Sequence, residues 1–213
     1  MTRSLRPAVA ALLTLTFVRP VAAQTKDEAG WKKLFDGKSL DGWKKCDYVN
    51  SGKVQVKDGA LVLDAGNRLT GVVYTRGDFP KTDYEVELEA KRVAGKDFFC
   101  TTTFPVGDSF CSFVVGGWGG GVVGLSSVDG IDASENETNK TMEFKRDQWY
   151  RVRIRVTSKR IEAWLDKEKV VDLETKDRRI SIRIECDPCR PFGIATWATT
   201  GAVRDIRVRK LSK

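Results

Sequence analysis

Apolar and polar residues alternate along most of the chain from Lys53 onward. Residues 83–91 place apolar side chains at every second position with charged ones between them, and residues 150–156 repeat this pattern. Residues 180–185 form a third alternating segment, with isoleucines on one face and Ser181, Arg183 and Glu185 on the other. A period of two predicts β-strands that are buried on one face. Further strands are predicted over residues 53–57, 60–64, 71–75, 97–104, 109–115, 121–126, 160–166, 169–173, 192–197 and 203–210.

These strands predict an all-β fold built from two packed sheets. Strands that are apolar on one face and polar on the other belong to antiparallel sheets that are covered on one side. Gly, Asp and Asn residues typical of turns separate the strands, and no segment has the period of an amphipathic helix. We therefore expect a two-sheet antiparallel β-sandwich of the jelly-roll type.

Residues 1–23 form a predicted signal peptide. Arg3 and Arg6 precede an apolar run from Ala8 to Val18, and small residues follow it. The run is shorter than the roughly 20 residues that a membrane-spanning helix needs, so no membrane span is predicted. We expect an exported protein, periplasmic or extracellular, with a short polar tail at residues 24–30 and a single domain at residues 31–213.

Charge and residue content exclude several classes of function. Loss of the signal peptide lowers the formal charge of +8 by three, and the remaining Lys and Arg are interspersed with Asp and Glu, so a nucleic-acid partner is not predicted. The chain contains no histidine, which excludes Ser-His-Asp, Cys-His and histidine-ligated metal chemistry. Proton transfer must therefore use Asp, Glu, Lys, Tyr or Cys.

The chain contains five cysteines, Cys46, Cys100, Cys111, Cys186 and Cys189. In an oxidising compartment they permit two disulfides, and the sequence leaves the pairing open. The C-x-x-C spacing of Cys186 and Cys189 favours a local disulfide or two buried thiols, because the other ligands of a zinc site are missing. Cys100 and Cys111 flank a predicted hairpin; a turn at Val106-Gly107 would place residue 102 opposite Cys111.

Six glycines surround Trp118 within residues 114–125. So many glycines in a strand are tolerated where a ligand or another backbone approaches closely. An exposed Trp118 would offer a flat face for a sugar ring, whereas a bulged hairpin would bury the same side chain in the core. Both interpretations stay open, and Trp197 is a second candidate stacking surface.

A carboxylate-rich loop follows the glycines and contains Asp129, Asp132, Glu135 and Glu137. Such side chains can bind sugar hydroxyls, exchange protons or hold Ca²⁺, although their spacing differs from that of an EF-hand. Ca²⁺ at residues 129–137 is the one cofactor that the sequence suggests. A solvated acidic loop is the alternative.

Arg183 and Glu185 lie two positions apart on a predicted strand and therefore point the same way. They can act together on one ligand or form an ordinary exposed ion pair. Asn136 in the carboxylate-rich loop and Arg190 after the C-x-x-C segment complete the candidate ligand-binding residues.

Two segments carry a family resemblance. Residues 31–43, Trp-Lys-Lys-Leu-Phe-Asp-Gly-Lys-Ser-Leu-Asp-Gly-Trp, and residues 201–209, Gly-Ala-Val-Arg-Asp-Ile-Arg-Val-Arg, resemble the opening and closing segments of the 3-keto-disaccharide hydrolase family. The resemblance extends from Trp31 to Leu211. It implies a concanavalin A-like β-sandwich in a bacterial secreted protein, with a carbohydrate as ligand. We also expect the first strand to lie beside the last and close the sandwich.

The resemblance further implies cleavage of glycosides that are oxidised to a ketone at carbon 3 of the sugar. The ketone acidifies the proton on carbon 2, so a carboxylate can remove it, and the substituent on carbon 1 then leaves by elimination before water adds. Side-chain chemistry and strand parity give us the expected roles: Glu185 or Glu135 as base, Arg183 at the enolate oxygen, and Asp129 or Asp132 near the leaving group.

A non-catalytic, lectin-like carbohydrate-binding module of the same fold is the alternative function. In that case Trp118 and Trp197 would be the stacking surfaces for the sugar. Aromatic side chains alone do not separate an enzyme from a binding module.

Overall fold

The computed structural model describes residues 30–212, so the predicted signal peptide and residues 24–29 of the polar tail lie outside the described residues. Within this range the chain forms fifteen strands and one 3₁₀-helix, Ile184–Cys189. The strands are β1 (Lys32–Lys33), β2 (Trp43–Lys45), β3 (Val54–Lys57), β4 (Ala60–Leu63), β5 (Leu69–Tyr74), β6 (Tyr84–Ala94), β7 (Cys100–Val106), β8 (Ser109–Gly117), β9 (Val122–Ser126), β10 (Lys140–Thr141), β11 (Tyr150–Val156), β12 (Arg160–Leu165), β13 (Glu168–Glu174), β14 (Gly193–Trp197) and β15 (Thr200–Lys210).

The strands form two antiparallel sheets, which confirms the predicted sandwich. The eight-stranded sheet has the order β13-β12-β11-β6-β15-β4-β3, with β1 paired to β15. The seven-stranded sheet has the order β10-β9-β8-β7-β14-β5-β2. The pairing of β1 with β15 places the first strand beside the last, as expected from the opening segment. No helix among residues 30–212 is long and apolar enough to cross a membrane.

The core lies between the sheets and follows from the alternation in the sequence. In β6, Val86 and Leu88 are buried, and Val86 lies opposite Ile154 of β11 and Val208 of β15. Cross-strand apolar neighbours of this kind form a continuous hydrophobic layer on the inner face.

An aromatic cluster joins the two sheets at one end of the core. The rings of Phe79 and Phe192 stack with centroids 4.3 Å apart, and Trp43 meets Phe192 edge to face at 5.9 Å. The indole N–H of Trp43 donates to the carbonyl of Leu34 at 2.8 Å. The opening segment is thus folded back on itself and anchored in the core, so its role is structural.

The β7–β8 hairpin has a different register from the predicted one. Val106 pairs with Ser109, so the turn is Gly107-Asp108, and Phe104 lies opposite Cys111. The predicted turn at Val106-Gly107 is therefore wrong by one residue. Gly107 has a φ of +61°, which suits the first position of a tight hairpin turn. Cys100 and Cys111 are both buried, and all five cysteines are free thiols in the described part of the chain.

The predicted strand over residues 180–185 is wrong. Ile180 makes only an isolated bridge to Val128, and the chain then enters the 3₁₀-helix, which leaves Ile184 86% exposed. The helix instead buries Cys186 and Cys189, which are three residues apart. A 3₁₀-helix has three residues per turn, so this spacing places both thiols on its inner side. Burial of the two cysteines overrides the alternation of the isoleucines.

Candidate functional site

A cavity of about 260 Å³ opens on the outer face of the seven-stranded sheet. Its floor comes from residues whose side chains point away from the core. Thr101 lies opposite Val114 across β7 and β8, and Ser112 lies opposite Ser126 across β8 and β9. The cavity is lined by Leu69, Asp97, Phe98, Thr101, Ser112, Val114, Trp118, Ser126, Arg183, Glu185, Cys186 and Trp197.

Trp118 forms one wall of this cavity. It follows β8 with a φ of +47°, and its side chain is 45% exposed, so it lies outside the core. The carboxylate of Asp97 fixes the adjoining turn, because it accepts hydrogen bonds from the N–H groups of Gly119 (3.1 Å) and Phe98 (2.7 Å). The Arg92 guanidinium donates to the carbonyl of Gly120 at 2.8 Å. The glycine-rich segment is therefore a turn that is held by hydrogen bonds, and it places the indole of Trp118 at the cavity.

Trp197 forms a second wall. It ends β14 and lies opposite Leu69 of β5, with both side chains on the cavity face. Its ring packs at a tilt against Phe98, with centroids 6.1 Å apart, and the Arg68 guanidinium lies 5.8 Å from the indole centroid. These contacts hold the second indole in place.

The charged corner of the cavity contains Arg183 and Glu185. The Arg183 guanidinium donates to the Glu185 carboxylate at 3.0 Å and also pairs with Asp132. Asp132 in turn accepts hydrogen bonds from the hydroxyls of Ser126 (3.0 Å) and Ser127 (3.1 Å). Asp132 is therefore a support for Arg183 and does not line the cavity itself.

The ion pair sets the charge state of this corner. Hydrogen bonding to Arg183 lowers the pKa of Glu185, and hydrogen bonding to Glu185 raises the pKa of Arg183. Both groups are thus ionised at neutral pH. The thiol of Cys186 also lines the cavity, but burial raises its pKa to about 11, so it is protonated and a poor nucleophile.

One polar atom in the cavity floor lacks a hydrogen bond. The Thr101 hydroxyl is buried, and it has no partner among the described residues. The neighbouring Ser112 hydroxyl, by contrast, lies 2.9 Å from the Thr103 hydroxyl. A buried hydroxyl without a partner is uncommon and costs free energy.

The other predicted site residues of the carboxylate-rich loop lie outside the cavity. Asp129 accepts from the backbone N–H of Arg179 at 2.7 Å and pairs with Arg178 at 2.7 Å. Glu135 is exposed to solvent and does not line the cavity. Asn136 is buried and donates to the carbonyl of Leu125 at 2.7 Å, so its amide holds the loop in place.

Neither Arg190 nor any residue of the suggested Ca²⁺ loop at residues 129–137 lines the cavity, although Asp132 of that loop pairs with Arg183. Arg190 pairs with Asp187 at 2.7 Å, and its guanidinium lies 5.1 Å from the ring centroid of Phe110. Among residues 30–212, no group of three or more Asp, Glu or Cys side chains is arranged to hold a metal ion. The loop carboxylates Asp129 and Glu137 are instead paired with Arg178.

Sequence reasoning missed several residues of the cavity. Thr101, Ser112 and Ser126 are polar residues on the outer faces of central strands, and strand parity could have identified them once the cavity sheet was known. Asp97 carries no comparable signal, because its role depends on a turn more than twenty residues away in the chain.

A family model described as the 3-keto-alpha-glucoside-1,2-lyase-like domain matches residues 30–209. A search of curated proteins found no match. Among solved structures, a Parabacteroides distasonis protein provisionally named a glycosyl hydrolase is 16% identical, with a TM-score of 0.58; the alignment covers 89% of this chain and 99% of that protein. The likeness confirms the fold class.

Two further solved structures share the fold. The carbohydrate-binding module CBM66 from Bacillus subtilis is 11% identical, with a TM-score of 0.51 and coverage of 79% of this chain and 96% of the module. The exoplasmic/lumenal domain of VIP36, described with Ca²⁺ and Man3GlcNAc bound, is 10% identical, with a TM-score of 0.56 and coverage of 85% and 89%. At these identities the likeness concerns the sandwich alone.

Proposed function

Because the chain belongs to the 3-keto-alpha-glucoside-1,2-lyase-like family, we propose that it cleaves glycosides whose sugar carries a ketone at carbon 3. The cavity of the seven-stranded sheet is the proposed site. The observation that carries this proposal is the Arg183–Glu185 pair, which lies in the same cavity as Trp118 and Trp197. Charged and stacking groups are thus available to one ligand.

The two indoles supply the proposed binding surface for the sugar. Their faces are apolar, and the C–H face of a pyranose stacks well on such a surface, while the hydroxyls at its edge remain free for hydrogen bonds. VIP36, which is described with an oligosaccharide bound, has a sandwich of the same fold and agrees with a sugar ligand.

The proposed reaction begins with removal of the proton on carbon 2 by the Glu185 carboxylate. The electron pair of that C–H bond forms an enolate with carbon 3, and the negative charge develops on the ketone oxygen. The Arg183 guanidinium stabilises this oxygen, since a fixed cation lowers the energy of a developing anion in a partly enclosed site. The carboxylate and the guanidinium therefore have complementary roles.

The second step breaks the glycosidic bond. The enolate re-forms the ketone, a double bond forms between carbons 1 and 2, and the oxygen on carbon 1 leaves with its aglycone and takes a proton from solvent. Water then adds across the double bond to give the free 3-keto sugar. No histidine is needed, because the ketone makes the carbon 2 proton acidic enough for a carboxylate base.

Export is part of the same proposal. Residues 1–23 have the charge, length and small-residue end of a signal peptide. The reaction would then take place in the periplasm or outside the cell.

Release of aglycone from a synthetic 3-keto glucoside tests the proposal. We expect Glu185→Gln to lower kcat/KM by about 100- to 10,000-fold, the range typical of a lost general base. Glu135→Gln is the matched control, because Glu135 is exposed and outside the cavity, and it should leave the rate unchanged. Equal rates for Glu185→Gln and the unmodified protein would remove Glu185 from the reaction.

A non-catalytic carbohydrate-binding module is the second candidate function. The observation that favours it is the sharing of Arg183 between two carboxylates, which offsets its positive charge before any ligand arrives. The same experiment separates the two functions. Sugar binding without release of aglycone by the unmodified protein would support the module and overturn the enzyme.

A further inference from the structure

Cys46 and Cys189 are neighbours in space although 143 positions separate them in the chain. Their sulfur atoms lie 3.6 Å apart, and both side chains are buried. Cys46 follows β2, and Cys189 ends the 3₁₀-helix behind the cavity. Two buried thiols from distant segments thus meet in a small hydrophobic cluster that is separate from the main core.

Neighbouring groups contact both sulfur atoms and fix their positions. The Cys46 thiol donates to the carbonyl of Pro188 at 3.3 Å, which is the residue before Cys189. The Tyr48 hydroxyl lies 3.3 Å from the Cys189 sulfur on another side. Leu69 and Ala195 complete a small hydrophobic cluster around the pair.

We infer that Cys46 and Cys189 form a disulfide when the chain folds in the presence of a disulfide oxidant. A disulfide has an S–S distance of about 2.05 Å, so the sulfurs must approach each other by about 1.5 Å, which side-chain rotation and a small backbone shift can supply. This inference is independent of the reaction proposed for the cavity.

The reaction is a pair of thiol–disulfide exchanges. One cysteine thiolate attacks the oxidant disulfide and releases one oxidant thiol, and the second thiolate attacks the resulting mixed disulfide and releases the other. The two cysteines lose two electrons, the oxidant gains them, and the two thiol protons pass to the released thiols. The Cys46–Cys189 bond replaces the bond of the oxidant.

Formation during folding follows from the burial of the pair. Hydrogen bonding to Cys46 and burial raise the pKa of Cys189 well above its ordinary value. The Cys189 thiolate is therefore scarce in the folded protein, and both sulfurs are buried away from a soluble oxidant. We expect oxidation to accompany folding and to be slow once folding is complete.

The other three cysteines face different surroundings. Cys186 lines the cavity, as does Ser112, and Cys100 lies 3.6 Å from the Thr102 hydroxyl within the core. Cys111 is buried on β8 opposite Phe104. Cys186–Cys189 is the competing pair because of its C-x-x-C spacing, and the experiment separates it from Cys46–Cys189.

The bond would fasten the segment that carries the charged corner. The 3₁₀-helix supplies Glu185 and Cys186 to the cavity. A link from Cys189 to Cys46 would tie the helix to the segment after β2. The helix would then keep its position even when the surrounding loops move.

Peptide mapping of the refolded full chain tests this inference. The chain is refolded from denaturant with a mixture of reduced and oxidised glutathione, alkylated, and digested with trypsin without reduction. We expect residues 46–53 and residues 184–204 to appear as one linked peptide, because the Arg190-Pro191 bond resists trypsin. Reduction should separate the two peptides.

Two variants identify the partner of Cys46. Cys186→Ser should keep the linked peptide, and Cys189→Ser should lose it. A linked peptide that survives in Cys189→Ser would overturn the assignment, as would a refolded wild-type protein in which Cys46 is alkylated. A disulfide between Cys186 and Cys189 would leave residues 184–204 as a single unlinked peptide in which neither cysteine is alkylated. That result would also overturn the assignment.

Thermal unfolding gives a second readout. The oxidised wild-type protein should have a Tm about 5–15 °C above that of the same protein in excess reductant, because closing a long loop restricts the unfolded chain. In Cys189→Ser the two Tm values should coincide. Equal Tm values for the oxidised and reduced wild-type protein would contradict a bond that fastens the fold.

Discussion

At the scale of single residues, Arg183 determines the chemistry available to the cavity. It donates to Glu185 and pairs with Asp132, so a single guanidinium lies between two carboxylates. The consequence is an ionised Glu185 with a lowered pKa. An ionised carboxylate is a base and cannot act as an acid, so the proposed elimination fits this corner better than acid-catalysed glycoside hydrolysis, which needs a protonated carboxyl group.

Replacing Arg183 is expected to move the pH dependence of the reaction. A base must be ionised, and Arg183 holds the pKa of Glu185 below 4.5, so the acid limb of kcat/KM in the wild-type protein should lie below pH 4.5. In Arg183→Met the pKa of Glu185 rises, and the acid limb should move to higher pH in a plot of kcat/KM against pH.

Arg190→Met is the control for this change. Arg190 pairs with Asp187 and does not line the cavity, so its loss should leave the limb in place. An unchanged limb in Arg183→Met would show that the titrating group is not Glu185.

Some residues of the cavity could be selected from the sequence because of their chemistry. Trp118, Trp197, Arg183 and Glu185 belong to residue types that bind or transform sugars, and the fold brings them into one cavity. Asp129 and Asn136 have equally suitable side chains, but the fold uses them to hold a loop. Their partners are not readable from local sequence, because those contacts depend on how the loop closes.

At the scale of elements, the outer face of the eight-stranded sheet is an ordered ladder of ion pairs. Glu85 and Glu87 of β6 lie between arginines of β11 and β15. Glu85 pairs with Arg155 at 2.6 Å and with Arg209 at 2.5 Å, and Glu87 pairs with Arg151 and Arg207. The arginines cover both carboxylates. The first part of β6, residues 84–88, is therefore buried on both faces although its outer face is charged.

Glu87→Gln is expected to lower the free energy of unfolding by about 2 kcal/mol at neutral pH, because it leaves two arginines without their shared carboxylate. Glu87 is only 4% exposed, but Arg151 and Arg207 reach solvent, which limits the cost. Urea denaturation measures the difference.

The ion pairs of Glu87 with Arg151 and Arg207 also make the stability of the fold depend on pH, with a sign that follows from the pKa of Glu87. Burial raises the pKa of Glu87, but hydrogen bonds from Arg151 and Arg207 outweigh burial and hold the pKa below 4.5. The stabilisation is therefore present above about pH 4.5 and is lost as the pH falls through the lower native pKa.

The difference between Glu87→Gln and the wild type should accordingly shrink in acid. Glu89→Gln is the control, since Glu89 is 32% exposed and its loss should cost less than about 1 kcal/mol. A gap that stays constant from pH 7 to pH 3 would contradict the ionic role of Glu87.

The alternation of apolar residues predicted most strands because burial on one face requires it. The segment at residues 180–185 is the exception. Its alternation is as regular as that of β6. The end of the segment nevertheless belongs to a 3₁₀-helix, in which two cysteines three residues apart are both buried. A local period is decisive only where a neighbouring strand is available to pair with the segment. The sequence does not show which segments have such a neighbour.

At the scale of the whole molecule, the two outer faces of the sandwich have different uses. The eight-stranded sheet covers its outer face with paired arginines and glutamates, and the seven-stranded sheet carries small hydroxyl residues that leave room for a cavity. The aromatic cluster around Phe192 holds the sheets together at one end. The sandwich could be predicted from sequence, whereas the sheet that carries the cavity became evident only from the strand order.

Deuterium at carbon 2 of a 3-keto glucoside reports directly on the proposed removal of the carbon 2 proton by Glu185. After turnover in ordinary water, the released 3-keto sugar should have lost the deuterium, as read by mass spectrometry against a sample without enzyme. Under the same conditions Glu185→Gln should neither release aglycone nor exchange the label above that background. Release of a sugar that retains its deuterium would contradict the elimination, because the glycosidic bond would then have been broken without removal of the carbon 2 proton.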